Sequence, residues 1–235
     1  MMINVIKLMC WILILVNARA KAAINYHREL EILSLPHKNQ MEVFKNDQKT
    51  YDNLIAIAKE NRMSFSKRWK SIIAAAELRK EKSIDDLFLL SLSNEWFVKN
   101  AVLVSLKELR HPKKIEIVKR LLKDKSLVVR SAAVDQILHD GLDEHRDLLW
   151  EELFQERNKK KNQSLWIRKQ IITVLSQKPR LIEKSLFLKL LNENENDIIE
   201  GSLKGAQKLV LNDQEIRSFK NQSINERAQF VKSKF

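Results

Sequence analysis

Leu121-Leu-Lys-Asp-Lys-Ser-Leu-Val-Val-Arg-Ser-Ala-Ala-Val134 decides the architecture of this chain. Two leucines close one apolar run, and a polar turn follows. A second run then opens with a basic residue set among small and apolar ones. Helical spacing on both sides of a short turn describes a pair of helices. The second half of the motif recurs. Trp96-Phe-Val-Lys-Asn-Ala-Val-Leu-Val-Ser-Leu106 and Leu165-Trp-Ile-Arg-Lys-Gln-Ile-Ile-Thr-Val-Leu175 repeat it, and Phe65-Ser-Lys-Arg-Trp-Lys-Ser-Ile-Ile-Ala-Ala75 is a weaker copy. Asp197-Ile-Ile-Glu-Gly-Ser-Leu-Lys-Gly-Ala-Gln207 is a degenerate last copy.

Aligned, the copies place Arg68, Lys99, Arg130, Arg168 and Glu200 in one column, at steps of 31, 31, 38 and 32 residues. The long step holds Arg157-Asn-Lys-Lys-Lys-Asn-Gln163, read as an exposed basic insertion. Apolar runs at Ile84–Leu92, Ile115–Leu122, Leu148–Phe154 and Ile182–Leu191 supply the first helix of each pair, expected to span about 10–12 residues. A lone helix pair cannot bury its apolar face, whereas stacked pairs share one continuous core. The expected fold is therefore all-α, an α-solenoid of about four to five helix pairs. Residues 21–63 are expected as an N-terminal helical cap, 64–211 as the repeats, and 212–235 as C-terminal capping helices. The last segment carries the stripe Ile216, Phe219, Ile224, Ala228 and Val231. Ser83 and Asp86, and Ser223 and Glu226, have capping-box spacing, and Pro112 and Pro179 fall where helices start or break.

Composition agrees. The 235 residues include three glycines and three prolines, where average usage gives about 16 and 12. Sandwiches, barrels and doubly wound sheets need such residues at their many turns. A hydrophobic content of 44% excludes a disordered chain.

The turn and Ala-rich second helix of residues 121–134 resemble the HEAT-repeat family, of a secreted bacterial type, and the resemblance covers about residues 64–210. It implies a curved scaffold that binds other macromolecules. It also implies that the basic anchors Arg68, Lys99, Arg130 and Arg168 are structural, bonding the inter-helix turn and the neighbouring repeat. The family's turn aspartate is kept once, the column reading Ser93, Asp124, Asn162, Asn194.

Met1–Ala20 reads as a cleavable signal peptide: a short segment with one charge, the apolar run Leu8–Val16, then small residues before Ala20. The expected address is outside the cytoplasm, with the periplasm as the expected compartment. Cys10, the only cysteine, lies in this leader, so the mature chain is expected to use no disulfide, thiol or Cys-ligated zinc. The net charge of +13 becomes +11 when Lys7 and Arg19 leave with the leader.

The functional expectation is a non-catalytic scaffold or adaptor in the cell envelope. Its partner would be a protein or an anionic envelope component, met by a basic helical surface. Lys70, Lys107, Arg110, Arg157, Lys159, Lys160 and Lys161 are the candidate contacts, chosen for expected exposure. Trp69, Trp96, Trp150 and Trp166 are read as core fillers between layers. His139-Asp-Gly-Leu-Asp-Glu-His145 matches no metal-ligand spacing, so no metal, cofactor or catalytic residue is assigned. Nucleic acid is set aside because the leader sends the chain away from the genome, and membrane contact is expected only through an uncleaved leader. A HEAT-like DNA-binding protein or alkylpurine DNA glycosylase is the first alternative, and a HEAT-like lyase or chaperone the second.

Overall fold

A computed structural model describes residues 26–141, 144–161, 163–212, 214–215 and 222–234. The expected leader, the stripe residues Ile216 and Phe219, Asp143 and Asn162 lie outside the described residues. The chain is predominantly helical. It divides into two compact units, Met1–Ile117 and Val118–Phe235, and the division falls within the stretch expected to form one run of repeats.

The first unit begins with α1 (His27–Ile32), α2 (His37–Val43) and α3 (Gln48–Lys59), followed by α4 (Phe65–Arg79), α5 (Ile84–Leu90) and α6 (Trp96–Leu106). Local chemistry starts these helices. Asp47 accepts a hydrogen bond from the Thr50 N–H at 2.7 Å, and Ser64 accepts one from the Lys67 N–H. That bond holds the Asp47 carboxyl below its usual range. Helix α3 packs on α4, and α4 on α6. Leu54, Ile57, Ile72, Leu87, Val102 and Leu106 form the buried seam.

The chain crosses into the second unit within α7 (Lys114–Leu122). There follow α8 (Leu127–Asp140), α9 (Arg146–Leu153), α10 (Trp166–Leu175), α11 (Lys184–Leu190), α12 (Asn196–Val210) and α13 (Ile224–Ser233). The second helices pack in series, α8 on α10, α10 on α12 and α12 on α13. Gly201 and Gly205 make the tight layer possible. A Cβ at Gly201 would stand 2.7 Å from Ile172, and one at Gly205 would stand 2.3 Å from the Phe187 ring.

Three local expectations change. The first helices α5, α7, α9 and α11 are 7, 9, 8 and 7 residues long, shorter than expected. In α5 and α11 a 3-10 turn takes up the leading residues, at Lys80–Ser83 and Leu181–Glu183. That turn also removes the expected Ser83 cap: Ser83 already has helical backbone angles, and its hydroxyl donates back to the Lys80 carbonyl at 2.6 Å. The Ser223–Glu226 capping box is formed reciprocally. Finally, the basic insertion contains a two-residue antiparallel ladder, Lys159–Lys160 with Gln163–Ser164. No helix among the described residues is long and apolar enough to cross a membrane.

Candidate functional site

The basic anchors come first, because they fix which cations are committed to the fold. Arg68 is buried; its Nε donates to the Ala58 carbonyl at 3.0 Å and its guanidinium forms a fork with Glu95, 27 residues on. Arg130 donates to the Asp124, Lys125 and Arg157 carbonyls and to Asn158 Oδ1 at 2.9 Å. Burial pulls its pKa down against the raising charge of Glu152. Arg168 donates to the Leu153 carbonyl at 2.9 Å and to Glu193 at 2.8 Å. Its bonds hold the Glu193 carboxyl below the usual range. Each arginine thus ties a preceding turn or helix end to a polar group 25–28 residues further along, with strong charge-assisted bonds. Lys99 is buried in α6. At the fifth position of the column, Glu200 accepts from Arg227 of α13 at 2.9 Å.

The tryptophans divide. Trp150 is buried, donates Nε1–H to Glu183 at 2.9 Å and meets Phe187 edge-on at 5.0 Å. Trp69 is half-buried. Trp96 and Trp166 are not core fillers: they are 48% and 52% exposed. Each is the first residue of its helix, beyond the buried layer, and the core positions are Val98 and Ile167. Trp96 instead joins Phe65 and Phe97 in a surface cluster, with ring centroids 6.1 and 6.2 Å from it.

The candidate contacts also separate. Lys70 is half-buried and its ammonium donates to the Leu33 carbonyl at 2.9 Å, so it closes α1 against α4. Arg157 makes a fork with the buried Glu152 carboxylate, and Lys159 pairs with Glu156 at 3.0 Å. Arg157 stays exposed, with its charge matched by the buried Glu152 carboxylate. Lys160 and Lys161 stay exposed at the hairpin.

Lys107 and Arg110 are brought together. They line a cleft of about 630 Å³ between the C-terminal halves of α4 and α6. Ile73, Ala76, Val104 and Leu109 supply its apolar wall, and Lys80 adds a third cation. Lys80, Lys107 and Arg110 are exposed, and no salt bridge from their side chains occurs among the described residues. Two of the three lining acids already have partners. Glu77 pairs with His37 at 3.0 Å. Glu81 accepts the Arg110 N–H at 3.3 Å, and backbone donors, its own N–H first, hold its carboxyl below the usual range. Glu108 remains at the rim.

Lys80 is the residue that sequence reasoning missed. Its φ is 47° and ψ −126°, at the C-cap of α4. That is the first-position geometry of a tight turn that favours glycine, and any Cβ there is strained by about 1–3 kcal/mol. No pattern in the sequence marks such a lysine, because residues 79–83 read as an ordinary charged surface run. Lysine at that point gives up backbone comfort and places an ammonium on the cleft.

Chemically the cleft can hold a carboxylate- or phosphate-bearing segment whose apolar side chain lies against the wall. Among the described residues no group of three or more His, Cys, Asp or Glu is placed to hold a metal ion. No protein-family model matches the chain, and no curated protein matches its sequence.

Proposed function

We propose that the chain is a non-catalytic interaction module, a HEAT-like α-solenoid that binds an acidic macromolecular partner through the α4–α6 cleft. Three cations without salt-bridge partners among the described residues, gathered around an apolar-walled concavity, carry this reading. Anionic groups recognised there gain charge-assisted bonds, and the net charge of +13 speeds encounter with an acidic surface. The solenoid is supported by the period near 31, by second helices packed in series within each unit, and by arginines that reach one repeat forward. The cell envelope is the proposed setting, and it rests on the Met1–Ala20 pattern alone.

Fluorescence anisotropy with a labelled Glu/Leu-rich peptide tests the proposal. Binding should weaken about tenfold in Lys107→Glu/Arg110→Glu, since each lost charge-assisted bond is worth about 1.5–3 kcal/mol before solvent screening. Lys160→Glu/Lys161→Glu should leave it unchanged. An unaffected cleft variant would remove the cleft from the proposal. Tighter binding to duplex DNA than to the peptide, with a steep salt slope, would replace the acidic protein by nucleic acid.

A further inference from the structure

The α4–α6 cleft is graded along its length. Ile73, half-buried, and Val104, 38% exposed, leave apolar surface open toward one end. Lys80, on α4's C-terminal side of Ile73, gathers with Lys107 and Arg110, which follow Val104, toward the other. From Ile73 to Lys80 the helix rises about 10 Å, a distance that extended chain covers in about three residues. The cleft volume of about 630 Å³ falls in the range of sites that enclose small ligands, about 300–1,000 Å³. A few residues of extended chain fit such a space, and a folded domain does not enter it.

The acids of the cleft decide what kind of anion suits it. Glu77 and Glu81 already have partners, His37 and the Arg110 N–H. Glu108 is exposed and makes no hydrogen bond or ion pair among the described residues. A polyanion laid along the cleft would meet this like charge. A ligand with one anionic group and an N–H donor beside it satisfies the cations and Glu108 together. A fatty acid has the anion and the apolar tail but no donor. The last residue of a polypeptide has all three, because its carboxylate, its N–H and its side chain share one Cα.

The chain's own Glu81 shows how this end of the cleft treats a carboxyl. Backbone bonds, from its own N–H first and then from Arg110, hold it below the usual range against desolvation, and Lys80 adds to the effect.

We propose that the cleft captures the free C-terminus of a polypeptide ending in a large aliphatic residue. The terminal carboxylate lies among Lys80, Lys107 and Arg110, the last N–H donates toward Glu108, and the last side chain covers Ile73 and Val104. The occupant is a particular part of the acidic partner proposed above, so the assignment rests on that reading of the cleft. Charges elsewhere on the partner act at a distance, by steering encounter.

The test compares two peptides by anisotropy on the full chain. Both have one Glu/Leu-rich sequence ending in leucine and a label at the N-terminus; one has a free C-terminus and the other is amidated. The free acid should bind about tenfold more tightly. Exchange of its last leucine for serine should weaken it about tenfold. In Lys107→Glu/Arg110→Glu the free acid should lose its advantage, with an unchanged melting temperature. Equal binding of acid and amide by the wild type, both weakened in this variant, overturns the proposal and leaves an internal acidic segment in the cleft. Binding that the variant leaves untouched removes the cleft itself, and the reading beneath the proposal falls with it. Failure of both peptides to bind overturns both. Displacement of the peptide by free leucine or by decanoate at matching concentration overturns the proposal in favour of a small-molecule ligand.

Discussion

Two 3-10 turns stand at the same point of the repeat, one in each unit, and use their residues in opposite ways. Lys80–Ser83 precedes α5, and Leu181–Glu183 precedes α11. Each contains a glutamate whose carboxyl is held below its usual range. Glu81 is exposed and bonds backbone N–H groups, so its turn keeps a polar outer face beside a cleft. Glu183 is buried: desolvation opposes its charge, and the bonds from Arg146, the Arg180 N–H and Trp150 outweigh that opposition. With its acid drawn in, the second turn shows aliphatic side chains outward. The lesson is that a buried guanidinium one helix away decides which face of a turn meets water.

Breaking that guanidinium pair should give the largest effect. Glu183→Gln leaves the Arg146 charge buried, only 1% exposed, without its counter-charge. A loss of about 3 kcal/mol is expected in denaturant unfolding, and a loss under about 1 kcal/mol would mean that the turn is not held by this pair. Acid reaches the same network by another route. Because folding depresses the pKa values of Glu183 and Glu193, their stabilisation is present above the unfolded glutamate pKa, about 4.3. It is lost as pH falls below that value through the depressed ones. Melting curves from pH 6 downward should show this loss, and Glu183→Gln should flatten part of it.

Packing in the second unit is tested by Gly205→Ala. The added methyl meets the Phe187 ring, and stability should fall by about 1–3 kcal/mol. Lys80→Gly sharpens the comparison from the other side. Relief of the positive φ should raise stability by about 1 kcal/mol, while anisotropy reports weaker binding of the acidic peptide. A variant that is less stable, or that binds equally well, would remove Lys80 from the cleft's role. The smallest expected change belongs to Leu181→Ser/Ile182→Ser, within about 0.5 kcal/mol of wild type by thermal unfolding, since both side chains already face solvent.

Much of the helical layout was legible because periodicity is a local property. Trp96–Leu106, Leu127–Asp140 and Trp166–Leu175 begin within a residue of the apolar runs that announce them. Lys107 and Arg110 could be named from charge beside a helix end. Their meeting with Lys80 around one cleft could not, since it depends on how α4 packs against α6. The tryptophan reading failed at Trp96 and Trp166 for a related reason. Residue type signals burial only on average, and a helix's first position lies outside the packed layer. The bonds of Lys70, Arg157 and Lys159 were not legible, because a free charge and a bonded one look alike in sequence.

By itself, the sequence determined the helical class, the period near 31 and the column of anchors, because few glycines and prolines and a 3.6-residue pattern leave little else to form. Tertiary structure alone decided the fate of each charge. Glu183 went inward and Glu81 outward, three cations were left beside an apolar wall, and Leu181 with Ile182 was left in water. The physical reason is that burying a charge requires a partner at hydrogen-bond distance, and such partners come from residues tens of positions away.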